Sequence, residues 1–481
     1  SPLQTDLLLL AQLDARSGDA QQQLVFTLPG RLDETALLEA LRQVTAEMPA
    51  LRVVFRSGNG DAAPDAEVLD RVEPVIGVRN LAESTPQALE AALAAARIDE
   101  ANTGFTLDAG PLWRVSAFRN APDGTPLMLV MHGALLDERS RLRVVERLAE
   151  CYTAAREGRA LAPATFVAIT TLPESDRAQA ERFWREALAS AQPTRLWTGA
   201  DDAATGARES RHLVLDRDVT DRVHSLAAKL GIAPDTVIES AWALVLSRAS
   251  GRDDVFLGVR RPDAVARRRS DATALGLLDR MVPTPLAVTP TLALRDFLRS
   301  VQAQRDIAWE HSALAVAEIA SWGPRRRGRA FDVLLELDLD PDEGARRQRL
   351  IDELSLRIGT EVEPSGVPLA LTVRRTAGLS CRLDFDAARV SSTQADALLT
   401  ALARALATIT AHPEVPVGAV ALADEPALPK PLQTFAALYA SWIEQLQRAR
   451  EAGTAGARVR KYLRLIALDA LLLVALVIAV A

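Results

Sequence analysis

The stretch PLMLVMHGALLDE, Pro126 to Glu138, decides how the rest of the chain is read. Its first seven residues, Pro126 to His132, form an apolar strand, and a turn containing Pro122, Asp123 and Gly124 joins it as a hairpin to Trp113–Arg119. Downstream, the segment from Glu138 to Glu157 places Leu142, Val145, Leu148, Ala149 and Tyr152 on one helical face, and Asp137 stands where it can cap that helix. Neighbouring side chains of a strand point to opposite faces. His132 therefore shares a face with Met128 and Val130, while position 133 shares the other with Leu127, Leu129 and Met131.

The same alternation of strand and helix continues outward. Leu24 to Leu28 and Leu51 to Phe55 read as strands, and Asp33 to Met48 and Thr85 to Ile98 as helices. After a connector, Pro163 to Ser175, Phe183 and Trp184 sit in a short helix, and a second α/β unit begins. Its strands are Arg211–Leu215, Val255–Val259, Phe331–Leu337, Leu369–Arg374 and Ser380–Phe385. Its helices are Asp218–Leu230, Pro234–Ser250, Leu294–Ala315 and Ser392–Ala411; the second is nearly all apolar and belongs between layers. Two similar-sized α/β lobes are expected, with no internal repeat, and the run PRRRGR (Pro324 to Arg329) reads as a solvated loop.

The 481 residues are 48% apolar and 25% charged, which excludes a disordered or fibrous chain. A formal charge of -7 without a basic stripe argues against nucleic acid as a partner. Cys151 and Cys381 stand far apart with no Cys/His cluster, which excludes a disulfide scaffold and any zinc site of recognisable spacing and makes a reducing cytoplasm the default. Only three of the 56 basic residues are lysines, Lys229, Lys430 and Lys461, a bias that reads as GC-rich bacterial coding.

No signal peptide is legible at Ser1. From Leu465 to Ala481 the sequence reads LIALDALLLVALVIAVA, with Asp469 its one charge; as a helix it spans roughly 25 Å, near the lower limit for a membrane span. Arg448, Arg450, Arg458, Arg460, Lys461 and Arg464 precede it, the positive excess expected on the cytoplasmic side. A buried or amphipathic terminal helix is the alternative. The expected division is thus a lobe at 1–165, a connector at 166–190, a lobe at 191–425, a basic juxtamembrane linker at 426–464 and a transmembrane helix at 465–481, with the protein on the cytoplasmic face of the inner membrane.

Several segments, taken in order, resemble the condensation domains of nonribosomal peptide synthetases, within the chloramphenicol-acetyltransferase-like acyltransferase superfamily. They are SPLQTDLLL (Ser1 to Leu9), MPALRVVF (Met48 to Phe55), FTLDAGPLWR (Phe105 to Arg114), VIESAWALVLSRASGRDDVFLGV (Val237 to Val259), LGLLDRMVPTPL (Leu275 to Leu286), AWEHSALAV (Ala308 to Val316) and FDVLLEL (Phe331 to Leu337). Each is weak alone and the ordered set is specific. The resemblance implies an α/β fold of two chloramphenicol-acetyltransferase-like lobes in a V-shaped pseudo-dimer, here followed by the C-terminal hydrophobic helix. It also implies amide or ester formation between carrier-bound acyl groups in a tunnel between the lobes. The chain itself would need no cofactor, phosphopantetheine being carried only by partner acyl or peptidyl carrier proteins, in trans or in a longer chain.

The family's hallmark is HHxxxDG, and the aligned residues run from His132 through Gly133 to Asp137 and Glu138. The first His and the Asp match. The second His, which the resemblance makes the group acting on the incoming amine, is Gly133, and the final Gly is Glu138. The resemblance also puts Arg280 at a tunnel Asn, Pro285 near a family Arg, and leaves His311 alone of an HQDVPFE pattern. Asp137 caps the following helix or forms the family's structural salt bridge, with Arg52 as candidate partner. His212, His224 and His412 have no clustered partners, and no metal site is expected.

Losing a positioned base removes a factor of about 10² to 10⁴ in rate. The leading expectation is a catalytically impaired condensation domain acting as a membrane-tethered docking or scaffold platform. The rival is an active condensation or acyltransferase enzyme that uses His132 through a β-bulge, or Glu138 with a pKa raised by burial. A third reading is a small-molecule binding domain attached to a transporter or sensor.

Overall fold

In the computed structural model the hairpin around Gly124 lies inside the first of two larger sheets. Gly124 has φ of 94°, and a Cβ there would stand 2.5 Å from the Leu28 carbonyl oxygen, so the tight turn requires glycine. The structure describes residues 2–13, 20–56, 64–169, 176–197, 207–263, 273–323, 330–354, 357–362, 367–376 and 378–422. The expected arginine loop 324–329, the linker 426–464 and the terminal helix 465–481 lie outside the described residues. Within them, no single helix is long and apolar enough to cross a membrane.

The first half comprises α1 (Pro2–Leu13), β1 (Gln21–Leu28), α2 (Glu34–Glu47), β2 (Val53–Arg56), β3 (Asp65–Val68), β4 (Ile76–Asn80), α3 (Pro86–Ala101), β5 (Trp113–Arg119), β6 (Thr125–His132) and α4 (Glu138–Arg156). Then come β7 (Val167–Ile169), α5 (Arg177–Ala187), β8 (Arg208–Leu215), α6 (Arg217–Leu230), α7 (Pro234–Ser250), β9 (Asp254–Pro262), β10 (Ala274–Gly276) and β11 (Asp279–Ala287). The remainder is α8 (Leu294–Glu310), α9 (Val316–Ser321), β12 (Val333–Asp338), α10 (Pro341–Leu354), β13 (Arg357–Val362), β14 (Leu369–Arg375), β15 (Leu379–Asp386) and α11 (Ser392–Ala411). Side-chain caps start several helices: Asp33 accepts from Ala36 N, Thr85 from Ala88 N, and Ser391 forms a capping box with Gln394. Each such cap is worth about 1 kcal/mol.

The first sheet has the order β13-β1-β6-β5-β4 and the second β11-β9-β12-β14-β15-β8. On β6, Leu127, Leu129 and Met131 join the core under α2 and α4, while Met128 and Val130 pack with Leu93 and Ala96 of α3. A strand apolar on both sides is what a sheet covered on both faces demands. In the second half α6, α7, α8 and α11 cover one face, and Trp184 of α5 and Ile319 of α9 pack on the other. Gly258, central in β9, lets the Phe331 ring approach to where a Cβ would stand 2.3 Å away.

Two short pieces of the later sequence belong to the first half's architecture. β13 pairs antiparallel with β1, and β10 pairs parallel with β7. Leu275 and Leu277 are buried in the first half's core. The sequence reading assigns nothing to 341–362, because PDEGARRQRLIDEL is mostly polar and charged. It also runs one helix from Leu294 to Ala315. That helix is corrected: it stops at Glu310, and α9 starts afresh because Asp6 of α1 accepts from Val316 N at 2.7 Å and Ala317 N at 2.9 Å, supplying a cap from a distant part of the chain. Burial pushes the Asp6 carboxyl up to about 6, against the pull of those two hydrogen bonds.

Within α7, Glu239 is 1% exposed and its Oε2 has no hydrogen-bond partner. Burial pushes its carboxyl up to about 7, with Arg305 drawing it down and Asp235 pushing it up. The folded state therefore holds this proton where the unfolded chain has released it, so stability falls as pH rises from about 4.5 to about 7. Glu239→Gln is expected to add on the order of 2 kcal/mol at pH 8 and little at pH 4.5. Urea denaturation at both values checks it; an equal gain at the two would rule out the buried carboxyl as cause.

Candidate functional site

β6 and β1 keep one register from Thr125 opposite Leu28 to His132 opposite Gln21, with no shift. The β-bulge that would turn His132 to the other face is therefore absent, and the imidazole stays on the Met128 and Val130 side. His132 is 2% exposed. Its ring lies edge-on to Phe105 at 6.3 Å, and the Arg114 guanidinium covers Phe105 at 4.3 Å while bonding to Glu100.

Nδ1 of His132 accepts a hydrogen bond from Ala134 N at 3.2 Å, which places the ring hydrogen on Nε2, and Nε2 has no partner. Burial pushes the imidazole down to about 4. The ring is thus neutral at physiological pH, with its one lone pair already used by the backbone. Gly133, the next residue, is buried and donates its N–H to the Ala20 carbonyl at 2.7 Å.

Asp137 is fully buried and serves two ends. One oxygen accepts from Ser140 N at 2.8 Å, capping α4, and the other from Leu278 N at 3.3 Å. Its own N–H donates to Gly276 O at 3.0 Å, and Ser140 Oγ also donates to Gly276 O. The hallmark loop is in this way stitched to the segment after β10. Of the two alternatives for Asp137, the helix cap is observed, and the candidate ion pair with Arg52 is corrected. Arg52 gives its N–H groups to the carbonyls of Thr45, Leu69 and Asp70, because it leaves a 3-10 turn directly beside those chain ends.

Glu138 pairs with Arg374 of β14 at 2.6 Å. It lies in a dense lattice: Arg260 of β9 contacts both Asp279 and Glu336 at 3.1 Å, and Thr372 Oγ1 donates to Glu336 at 3.0 Å. The pocket lined by Glu138, Arg260, Asp279, Glu336 and Arg374 retains about 20 Å³, room for one or two water molecules. Buried ion pairs of this kind are weak sources of net stability, but removing one partner strands the other at a cost of about 3–5 kcal/mol.

Of the other expected residues, Arg280 pairs with Asp263 at 2.5 Å and lies 5.0 Å from the Trp309 ring centre. His311 stacks on Phe183 at 4.6 Å, and its carbonyl accepts from Trp184 Nε1 at 2.8 Å. Arg280 also reaches Ser312, so these two positions fall in one neighbourhood, whereas Arg52 stands apart from Asp137. Sequence reasoning missed Arg260, Asp279, Glu336 and Arg374. The visible signal was charge inside otherwise apolar strands: Glu336 in FDVLLEL and Arg260 in FLGVRR.

The profile of the condensation domain matches residues 1–427. The chain belongs to the condensation-domain family. It is 26% identical over 440 residues to a component of the linear gramicidin synthase of Brevibacillus parabrevis, a match covering 88% of this chain and 6% of that protein. Its identity to the chondramide synthase of Chondromyces crocatus is 28% over 384 residues, covering 77% of this chain and 10% of that synthase. The chain thus spans a tenth or less of the length of these two relatives. Among solved structures, the first condensation domain of the calcium-dependent antibiotic synthetase, in complex with a substrate analogue, is 22% identical with a TM-score of 0.65. That match covers 87% of this chain and 98% of the other. The X-domain of teicoplanin biosynthesis, solved in complex with OxyB, is 21% identical with a TM-score of 0.66 over 88% of this chain and 96% of its own. These likenesses establish the α/β condensation-domain fold.

Proposed function

We propose that this condensation domain has lost the acid–base group of its family's reaction and serves as a docking platform for carrier-bound intermediates in peptide assembly. The observation that carries the reading is the end of β6. Position 133 has no side chain, and the neighbouring imidazole is buried, neutral and already hydrogen-bonded through its only lone pair. Glu138, the other candidate base, is engaged by Arg374 at 2.6 Å, with cavities of about 20 Å³ and about 100 Å³ on its two sides. The fold itself depends on its apolar pattern and not on the missing group, so surfaces for partners outlast the chemistry. The X-domain was solved holding OxyB, which shows in that protein a fold of this kind engaging a protein partner.

On this reading, the partners are acyl or peptidyl carrier proteins, and the phosphopantetheine arm belongs to them. His132→Ala is expected to leave any residual condensation between loaded carriers within about twofold, measured by mass spectrometry of the product. A fall above about a hundredfold would make His132 a working base and restore the enzyme reading. Loaded carrier is expected to bind the unmodified chain without product appearing at the rates of an intact condensation domain.

The location of this platform is a second part of the proposal. The basic run before the apolar residues 465–481 supports attachment at the cytoplasmic face of the inner membrane. Deleting 465–481 is expected to move the protein from the pelleted membrane fraction to the supernatant. If the shortened chain still pellets with membranes, the anchor lies elsewhere.

A further inference from the structure

At the far ends of β9 and β11 from the ion lattice, a pocket of about 340 Å³ opens between the sheet edge, α5 and α8. Ala287 stands opposite Asp254 there and Asp279 opposite Pro262 at the other end, so the two strand ends are about 26 Å apart. The volume lies in the range of sites for small molecules. Its floor is aromatic and fixed. Trp184 is held by its hydrogen bond to the His311 carbonyl, meets Phe183 edge to face at 4.9 Å, and Phe183 in turn stacks on His311. At the rim Ile307 is 49% exposed, a large apolar side chain left without cover.

The edge does not suit an added peptide strand. β11 is the outermost strand of its sheet and carries Pro283 and Pro285, which remove two N–H donors that a docking strand would need. What remains is a side-chain pocket with one ionisable group in its lining, Asp254, whose carboxylate has no hydrogen-bond or ion-pair partner among the described residues. The neighbouring cation, Arg252, is turned to Gln192 Oε1 at 3.3 Å.

We propose that this pocket binds a primary arylalkylamine, the ring entering between Phe183 and Ile307 over the buried Trp184 and the ammonium group resting at Asp254. Ring-on-ring contact rewards an aromatic body beyond its buried area, and the lone carboxylate at the mouth selects a cation over an anion. This site is independent of the docking reading, since it shares no residue with the lattice around Glu138.

The test is calorimetric titration of the full chain with phenethylamine, 2-phenylethanol and 3-phenylpropionate, three probes of one shape and different charge. Phenethylamine is expected to bind in about the millimolar range, the alcohol about fivefold more weakly and the acid more weakly still. Asp254→Asn, a change at an exposed position, should bring the amine to the level of the alcohol and leave the alcohol unchanged. Ile307→Gln should weaken both at least about threefold through lost apolar contact, with the melting temperature held. Glu138→Gln should alter none of these affinities. Equal binding of amine and acid, indifference to Asp254→Asn, or no heat from phenethylamine up to about 10 mM would each overturn the proposal.

Discussion

Installing histidine at position 133 together with glycine at position 138 is expected to raise amide formation between loaded carrier proteins by about a hundredfold or more. The backbone at Gly133 is not in the left-handed region, so an L side chain is conformationally allowed, and its N–H bond to Ala20 O is kept by any residue. Gly133 begins the turn that follows β6, so the new imidazole would stand at the mouth of the loop between β6 and α4. The change at 138 matters as much, because it restores the second motif residue that differs from the family pattern and removes a carboxylate held by Arg374. Gly133→His alone is accordingly expected to gain less than the pair. The measurement is product formation over time by mass spectrometry, with the melting temperature of each variant as control. A folded double variant that makes no more product than its parent would mean that the missing side chain is not what silences the site.

Asp137→Ala is expected to destabilise the protein by about 3 kcal/mol. It removes the cap of α4, worth about 1 kcal/mol, and leaves the buried Leu278 N–H without its acceptor, worth about 1–3 kcal/mol. Arg52→Ala would act elsewhere, by freeing the carbonyls of Thr45, Leu69 and Asp70. The two losses should therefore add in a double-mutant cycle followed by urea denaturation. A coupling above about 1 kcal/mol would revive a direct Arg52–Asp137 pair.

Much of this was legible in the sequence because it rests on periodicity. The apolar run Leu127 to Met131 fixes a doubly covered strand, and its alternation alone puts His132 beside Val130 and away from position 133. The loss at 133 could be read directly, since a missing side chain needs no coordinates. Long-range polar partners were not legible. Asp137 has Arg52 as a plausible mate in the motif pattern, yet one of its oxygens accepts from the Leu278 backbone N–H, which is invisible to residue type. The lattice of Arg260, Asp279, Glu336 and Arg374 joins four strands that are distant in sequence, and β13 is too short and polar to announce that it pairs with β1.

That pairing has a practical consequence for exchanging parts among relatives. A scissile point chosen near residue 165 would strip β1 of its neighbour β13 and leave a row of unsatisfied amides and carbonyls along a hydrophobic ribbon, an invitation to self-association. Chimeras that graft the opening half onto another synthetase must therefore transplant residues 357–362 as well, although nearly two hundred positions of foreign sequence would lie between the two donated pieces.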